Sequence, residues 1–460
     1  MRLILFCLLT WLISCPLAAQ EGGRDPELDS VERVRMERWQ RAEQGRKIFE
    51  RMYAEDPRAA VDSANVAIRR AHQTEGQEKL LAYQANTRID TLVEIDLSYA
   101  GLDRIPEFVF EATNLKVLII DHNDIRKLPK ELGRLQHLER VYWRANHLDR
   151  FLWVRIQRIP NLKKLDLSNN LLERLPSGIR KLEGMNELVL DQNFFREVPI
   201  SRLSKVSFLN QVSFNKSHAL MLSDGKYEKL SFLEVFKANN SRLTAIDPTF
   251  YNMQGLKELQ LQENELSSLP PGISRMRKLE KLSLYKNKLQ SLPEDFYELD
   301  LKVIDLYYNE LEMIPEELGA LKNLEVLFLA NNRIYSLPES IGKLSNLTEM
   351  YVHHNRLSVL PESVSNLKKL TVARVNDNYL VDFPSQFLEM KDLNDLDVSN
   401  NQITTIPDEV EALPSLRLFT FQENPIAIDG QANPHLAPMI VRMMEAGVIC
   451  VPRIYAQEVE

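Results

Sequence analysis

The sequence predicts an α/β solenoid, and three observations carry that prediction. Blocks of apolar residues recur with a period near 23 residues from about position 89 to position 428. The first half of each block alternates apolar and polar side chains, the pattern of a short strand with one buried face. The second half reads Leu-Pro-x-x-apolar-x-x-Leu, as in "LPESIGKLSNL" at 337–347, where proline fixes the turn and one short helical turn follows. No block can bury its apolar face alone, so the blocks must stack, each covering the next. The expected architecture is a curved parallel sheet on the concave side, with a helical cap before it and a cap after it.

The 460-residue chain has 44% hydrophobic and 27% charged side chains, ample material for such a core. Its formal net charge of -8 argues against a general affinity for nucleic-acid phosphates. That charge says little about a protein partner, because local patches decide such contacts.

Residues 1–19 read as a secretory signal peptide. Arg2 is followed by an apolar run from Leu3 to Ser14, then Pro16 and the small residues Ala18 and Ala19. The run is short for a membrane span. Cleavage after Ala19 is one reading. The other is lipidation at Cys15, because "LISC" resembles a bacterial lipobox; only in that case is a membrane a partner. Of the three cysteines, Cys7 leaves with the signal and Cys15 leaves or is lipidated. Cys450 then has no partner for a disulfide and reads as a buried, inert thiol.

Residues 20–88 form a helical region by pattern. Asp25-Pro26 and Asp56-Pro57 are both helix starts, an N-cap followed by proline at the first helical position. Leu28, Val31, Trp39, Ala42, Phe49 and Met52 give an apolar stripe in the first segment; Val61, Ala64, Ile68 and Ala71 give one in the second. Thr74 and Gln77 have the spacing of a capping box, which predicts a third start. The region is expected to cap the first repeat, with a small docking module in its own right as the alternative.

The repeats occupy 89–428. "LKKLDLSNNLL", "LEKLSLYKNKL", "LEVLFLANNRI", "LTEMYVHHNRL" and "LNDLDVSNNQI" all read L-x-x-L-x-L-x-x-N-x-L. Aligned on that asparagine, fifteen repeats follow at spacings of 22 to 24 residues. Twelve keep it: Asn123, Asn146, Asn170, Asn193, Asn264, Asn287, Asn309, Asn332, Asn355, Asn378, Asn401 and Asn424. Ala100, Ser217 and Ser241 depart from it. An amide both donates and accepts, so these asparagines are read as structural, satisfying backbone groups where the strand turns away. The pattern resembles the leucine-rich repeat. With the proline that eleven repeats keep, it is similar to bacterial and Ras-suppressor-like members of that family. The resemblance implies a curved leucine-rich repeat horseshoe used for binding, and names no ligand. Repeats six and seven lack the Leu-Pro and read either as a local change of curvature or as a functional insertion or hinge. Residues 429–460 are expected to add a C-terminal cap, one helix and the strand-like "GVICV".

Side chains on the concave strands that lie outside the core are where function must be sought. Repeats nine to twelve place Tyr285, Tyr307, Tyr308, Phe328, Tyr351, His353 and His354 there. Phe328 and Tyr351 share one column. Tyr285, Tyr307 and His353 share another, and Tyr308 and His354 a third. Nothing in the fold demands aromatics at these positions. They read as a partner-binding patch, with plain cross-strand stabilisation of the sheet as the alternative. His353-His354 alone suggests a metal. A zinc site needs three or four convergent ligands, and the neighbouring repeats offer Ala330, Asn331, Asn376 and Asp377. We therefore expect no metal and no cofactor; a pH-sensitive contact is physically allowed, since histidine titrates near neutrality. No nucleophile elbow, phosphate loop or metalloprotease helix appears. The sequence thus points to a non-enzymatic, exported recognition protein that binds a protein or peptide. The alternatives are an anchored envelope or adhesive component that binds glycan or a host surface, and an intracellular scaffold if residues 1–19 stay attached.

Overall fold

Strand propensity here is local and brief: one inward residue flanked by two outward ones, repeated along the chain. A computed structural model describes residues 44, 46–47, 51–52, 55–126, 129–148, 159–175, 177–182, 184–206, 208–218, 220–428 and 435–451. The proposed signal peptide, Cys15 and the Asp25-Pro26 helix start lie outside the described residues. The fold is an α/β solenoid of parallel strands joined by short 3₁₀ turns. Two compact bodies divide it, one through Met185 with Val189–Phe194, the other Asn186–Leu188 and from Phe195 onward.

In the first body the strands are β1 (Glu94–Asp96), β2 (Val117–Ile119), β3 (Arg140–Tyr142) and β4 (Lys164–Asp166). Each pairs in parallel with the next, in chain order. β5 (Glu187–Val189) falls at the division. The second body continues with β6 (Gln211–Ser213), β7 (Val235–Lys237), β8 (Glu258–Gln260), β9 (Lys281–Ser283), β10 (Val303–Asp305) and β11 (Val326–Phe328). β12 (Glu349–Tyr351), β13 (Val372–Arg374), β14 (Asp395–Asp397) and β15 (Leu418–Thr420) follow in the same parallel order. A last strand, β16 (Ile449–Val451), pairs with β15 after an intervening helix, Leu436–Glu445. Cys450 on β16 is buried, and burial pushes its thiol pKa up.

The middle residue of each strand enters the core: Leu327, Met350 and Ala373 are at most 1% exposed. Leu-Pro segments leave the chain extended at the proline, as at Pro338 and Pro361. A single 3₁₀ turn then buries Ile341 or Val364.

The asparagine column closes each turn. Asn355 Nδ2 donates to the carbonyls of Leu329 and Val352 at 3.0 Å and of His353 at 3.2 Å. Its Oδ1 accepts from the Ile334 N–H at 3.0 Å. One side chain therefore ties its own turn to the preceding repeat. Asn332, Asn378, Asn401 and Asn424 repeat the arrangement. The residue just before this position is left-handed in all fifteen repeats, with φ between 48° and 62°, and none of the fifteen is glycine.

Repeats six and seven are regular at the backbone and unusual inside. β6 pairs with β7 and β7 with β8. The Ser241 hydroxyl does the asparagine's work, donating toward the Phe214 carbonyl at 2.9 Å and accepting from the Ser217 N–H at 3.2 Å. Phe195, Phe214, Phe236 and Phe250 fill the interior edge to face or tilted, at 5.2–5.9 Å.

The N-terminal helix differs from the expected end cap. Helix α1 (Pro57–Gln84) is continuous, so Thr74 begins no new helix. Asp56 caps it, accepting from the Arg58 and Ala59 N–H groups at 3.0 and 3.1 Å. Rather than covering the end of repeat one, α1 lies across the turn edge of repeats one to five. Lys79 bonds Asp96 at 3.1 Å, Arg69 donates to the Asn123 carbonyl at 2.9 Å, and Asn65 exchanges amide bonds with Asn169. His147 sits between Asp62 and Asp124, and Arg58 reaches Glu173 and covers the Phe194 ring. Gly76 makes this possible. A Cβ there would stand 2.2 Å from the Tyr99 carbonyl carbon.

Three outcomes test this account. Gly76→Ala should destabilise the chain by about 1–3 kcal/mol through overpacking, although alanine gains about 1 kcal/mol over glycine in a helix interior. A raised melting temperature would mean that α1 does not dock there. Asn355→Ala should cost about 1–3 kcal/mol by orphaning turn groups. Asn355→Asp should be no milder, since it faces a carboxylate oxygen to three carbonyls; denaturant titration reads both. The third outcome concerns acid. His122 stacks on Tyr99 at 4.5 Å under α1, and its pKa is pushed down to about 4 by burial and then by Arg144, Arg69 and His72. An unfolded imidazole titrates near 6.5, so between about 6.5 and 4 the unfolded chain binds more protons. The stability is therefore complete above that window and is lost as pH falls through it, by up to about 3 kcal/mol. His122→Phe should flatten the fall of melting temperature between pH 7 and 4.5, and an unchanged slope would exclude His122 as its source.

Candidate functional site

The seven side chains picked out in repeats nine to twelve all lie in the second body. Their placement on the strands needs correction for five of them. Phe328 and Tyr351 end β11 and β12. Tyr285, Tyr307, Tyr308, His353 and His354 lie beyond the strands, in the turns that follow, because each strand is only three residues long. Tyr308 and His354 occupy the left-handed position, φ 54° and 51°, which throws their side chains away from the core. Tyr308 is 45% exposed.

The rings form one connected ladder. Phe328 and Tyr351 are register partners and stack at 4.7 Å with planes 16° apart. Tyr285 meets both Tyr307 and Tyr308 at 5.8 Å, and those two meet each other at 4.6 Å. Tyr307 reaches past its neighbour in the column to His353, ring to ring at 5.6 Å, with its hydroxyl 3.3 Å from Nε2. That reach exists because the intervening residue is Ala330, which is buried and small. His353 then joins the two groups, with Tyr351 at 6.4 Å and His354 at 5.5 Å. Asn331 separates Tyr308 from His354 along the third column.

Polar groups frame the ladder. Asp305 accepts from Ser283 at 2.6 Å and from the Tyr307 N–H at 3.2 Å, and burial raises its pKa. The Tyr351 hydroxyl donates to Glu349 at 2.7 Å; burial and then that carboxylate push the phenol up to about 12. Arg374 is engaged by Asp395 at 2.5 Å and Asp397 at 3.7 Å. His353 does not supply the pH-sensitive contact near neutrality that histidine allows. Burial, and then His354 and Arg374, hold its pKa down at about 4, so it is a neutral ring at pH 7. Its Nδ1 is buried without a hydrogen-bond partner. Among the described residues, no three His, Cys, Asp or Glu side chains come together as a metal would require. Among the same residues, no helix is long and apolar enough to cross a membrane.

Two features escaped sequence reasoning. Met313, Tyr335, Val359 and Val381 stand three or four residues past the asparagine, on the turn edge of repeats ten to thirteen, each about half exposed or more. They could have been found by aligning that position, where repeats two, four and five carry charges. The second feature is an open cavity of about 510 Å³ in repeats six and seven, lined among others by His218, Met221, Leu222, Leu243, Ile246 and Asp247. Its sequence signals were the missing Leu-Pro and the serines Ser217 and Ser241 at the asparagine position.

Comparison with known proteins bears on the fold. Family models described as leucine-rich repeat match residues 161–182, 233–289 and 255–311, and one described as leucine-rich repeat region matches 301–424. An adenylate cyclase of Schizosaccharomyces pombe is 29% identical over 199 residues, 39% of this chain and 12% of the cyclase. The chain therefore spans only a small part of that relative. The structure of a leucine-rich repeat protein of Leptospira interrogans aligns with TM-score 0.65 at 25% identity, over 80% of this chain and 97% of that one. The Arabidopsis receptor kinase HAESA, solved in complex with the peptide hormone IDA and the co-receptor SERK1, aligns with TM-score 0.54 at 24% identity. That alignment covers 80% of this chain and 71% of the receptor chain. The repeated strand, the buried asparagine column, the family matches and these folds agree: the chain belongs to the leucine-rich repeat proteins.

Proposed function

We propose that this chain is a non-enzymatic, exported recognition protein that holds a protein or peptide partner on its concave strand face. The observation that carries this reading is the connected ladder of Tyr285, Tyr307, Tyr308, Phe328, Tyr351, His353 and His354. A repeat scaffold needs none of these rings. Half-buried aromatics give large contact area at low entropic cost, and tyrosine adds a polar tip, so they are favoured anchors at interfaces. The rings are already held together within the chain, by ring contacts and by the Tyr307–His353 and Tyr351–Glu349 pairs, which lowers the ordering cost of binding. The HAESA complex supports the reading at the level of fold, since a related solenoid there carries a peptide hormone. Export rests on the layout of residues 1–19, and Cys15 would be the anchor if lipidation replaces cleavage. Mass spectrometry of the mature N-terminus separates these two routes from an uncleaved intracellular chain.

The docking reading has a direct test. A partner captured by the exported chain should bind the double variant Tyr308→Ala with Tyr351→Ala more weakly by at least about 2 kcal/mol. Thr420→Ala with Gln422→Ala, a polar pair of repeat fifteen, should bind almost as the parent does. If the rings serve only the sheet, the outcome inverts: affinity is unchanged and stability falls by roughly 0.2–1 kcal/mol per lost pair. Calorimetric melting and titration of the same variants give both numbers.

A further inference from the structure

We propose that the segment held by the aromatic ladder is basic, an extended stretch of protein chain presenting arginine and lysine. This deepens the reading above and rests on it. The argument begins with register. Asp305, Phe328, Tyr351, Arg374 and Asp397 are successive partners across β10 to β14. At roughly 4.8 Å per strand, the stacked pair stands between a carboxylate on one side and an arginine already engaged on the other. Charge balance is the second step. Across β10 to β14 and the turns after them the acids are Asp305, Glu349, Asp377, Asp395 and Asp397 and the basic residue is Arg374; Lys281 and Lys286 stand at the repeat-nine end, Lys286 beside Glu263 at 3.8 Å. Arg374 is taken by Asp395 and Asp397. Asp305 and Glu349, which flank the stacked rings, have hydrogen bonds from Ser283, the Tyr307 N–H and Tyr351, and no ion pair among the described residues.

Aromatic ring faces are electron-rich, so a cation resting on them is attracted, most of all where water is partly excluded. Arginine fits best. Its planar guanidinium stacks on a ring while its edge donates to a carboxylate beside that ring. Phe328 and Tyr351 supply the rings; Asp305 and Glu349 supply the carboxylates next to them. His353 adds no opposing charge, being neutral at pH 7 through burial. An acidic segment would be repelled from this face, and a neutral glycan would stack on the rings but leave both carboxylates without a cation.

The test uses the full chain and a random-peptide library displayed on phage. Selected peptides should be enriched in arginine and lysine and should lose binding to Tyr308→Ala with Tyr351→Ala. The isosteric pair Asp305→Asn with Glu349→Gln should weaken them about tenfold, and added salt should weaken them further. Matched melting curves show that the variants are folded. Peptides that need Tyr308 and Tyr351 but are not basic, or that ignore the isosteric pair, overturn the charge assignment and leave the docking reading standing. Peptides that bind without regard to Tyr308 and Tyr351 overturn both. Binding to a glycan array that is lost in the tyrosine variant, with no peptide enriched, also overturns the basic-segment assignment.

Discussion

The buried asparagine amide is the interaction on which the rest of the structure depends. Each repeat must reverse its chain in a place that water does not reach, and reversal leaves carbonyls and N–H groups pointing inward. One primary amide has two donors and two acceptor sites. At Asn355 these serve three carbonyls and one N–H drawn from two repeats. The bonds therefore close a turn and couple neighbours in the same act. A short hydroxyl can substitute where the backbone comes close enough, as Ser241 does, but Ser217 leaves its own hydroxyl without a hydrogen-bond partner. The arrangement has a conformational cost. Left-handed backbone costs an L-residue roughly 1–2 kcal/mol, and the fifteen turn positions before the asparagine column carry it without one glycine. Each turn offsets the cost with its amide bonds and the apolar contacts they bring into register.

That constraint also determines where function can sit. A left-handed residue in the turn just past a three-residue strand does not send its side chain into the repeat core, so its identity is nearly free. Tyr99, His122, Lys216, Glu263, Tyr308, His354 and Asn400 all occupy it. The first body uses this edge to dock α1, with His72 against Tyr99 and Asn65 against Asn169. The second body uses the corresponding edge for Tyr308 and His354. The same backbone geometry thus supports an internal contact in one body and an open surface in the other, and only the side chains differ.

Much of this was legible in the sequence because the repeated physics leaves a repeated trace. Inward residues such as Leu327 and Met350 must be apolar, and Asn332 or Asn355 must be an amide, so period and identity are both written down. The seven ring positions were legible for the opposite reason: they break a column that nothing obliges them to break. What could not be read were features with no residue of their own. The left-handed turns are invisible because they carry Tyr, Lys, Glu or His rather than glycine. The three-residue strand length is set by hydrogen bonding, not composition, so Tyr285, Tyr307, Tyr308, His353 and His354 were assigned to strands that end before them. Thr74 and Gln77 have the spacing of a helix start, and that pattern hides the role of Gly76 between them. Its actual reason is the backbone of Tyr99 and Ala100, which lies 23 residues away in sequence and in contact in space.

A fold shared with proteins at 24–25% identity identifies the scaffold and stops there. The residues that individualise this chain are few, and one of them is not aromatic. Ala330 stands in the column between Tyr307 and His353. Any larger side chain there would keep the two rings apart and split the ladder into a tyrosine cluster and a Phe328–Tyr351 pair. Because it is small, Tyr307 closes over it and the rings become one surface. The ring of His353 is itself largely covered, and that burial pushes its pKa down to about 4. The charge of the patch at neutral pH is therefore left to Asp305, Glu349 and their neighbours. A single methyl side chain in the right column thus sets the continuity of the surface.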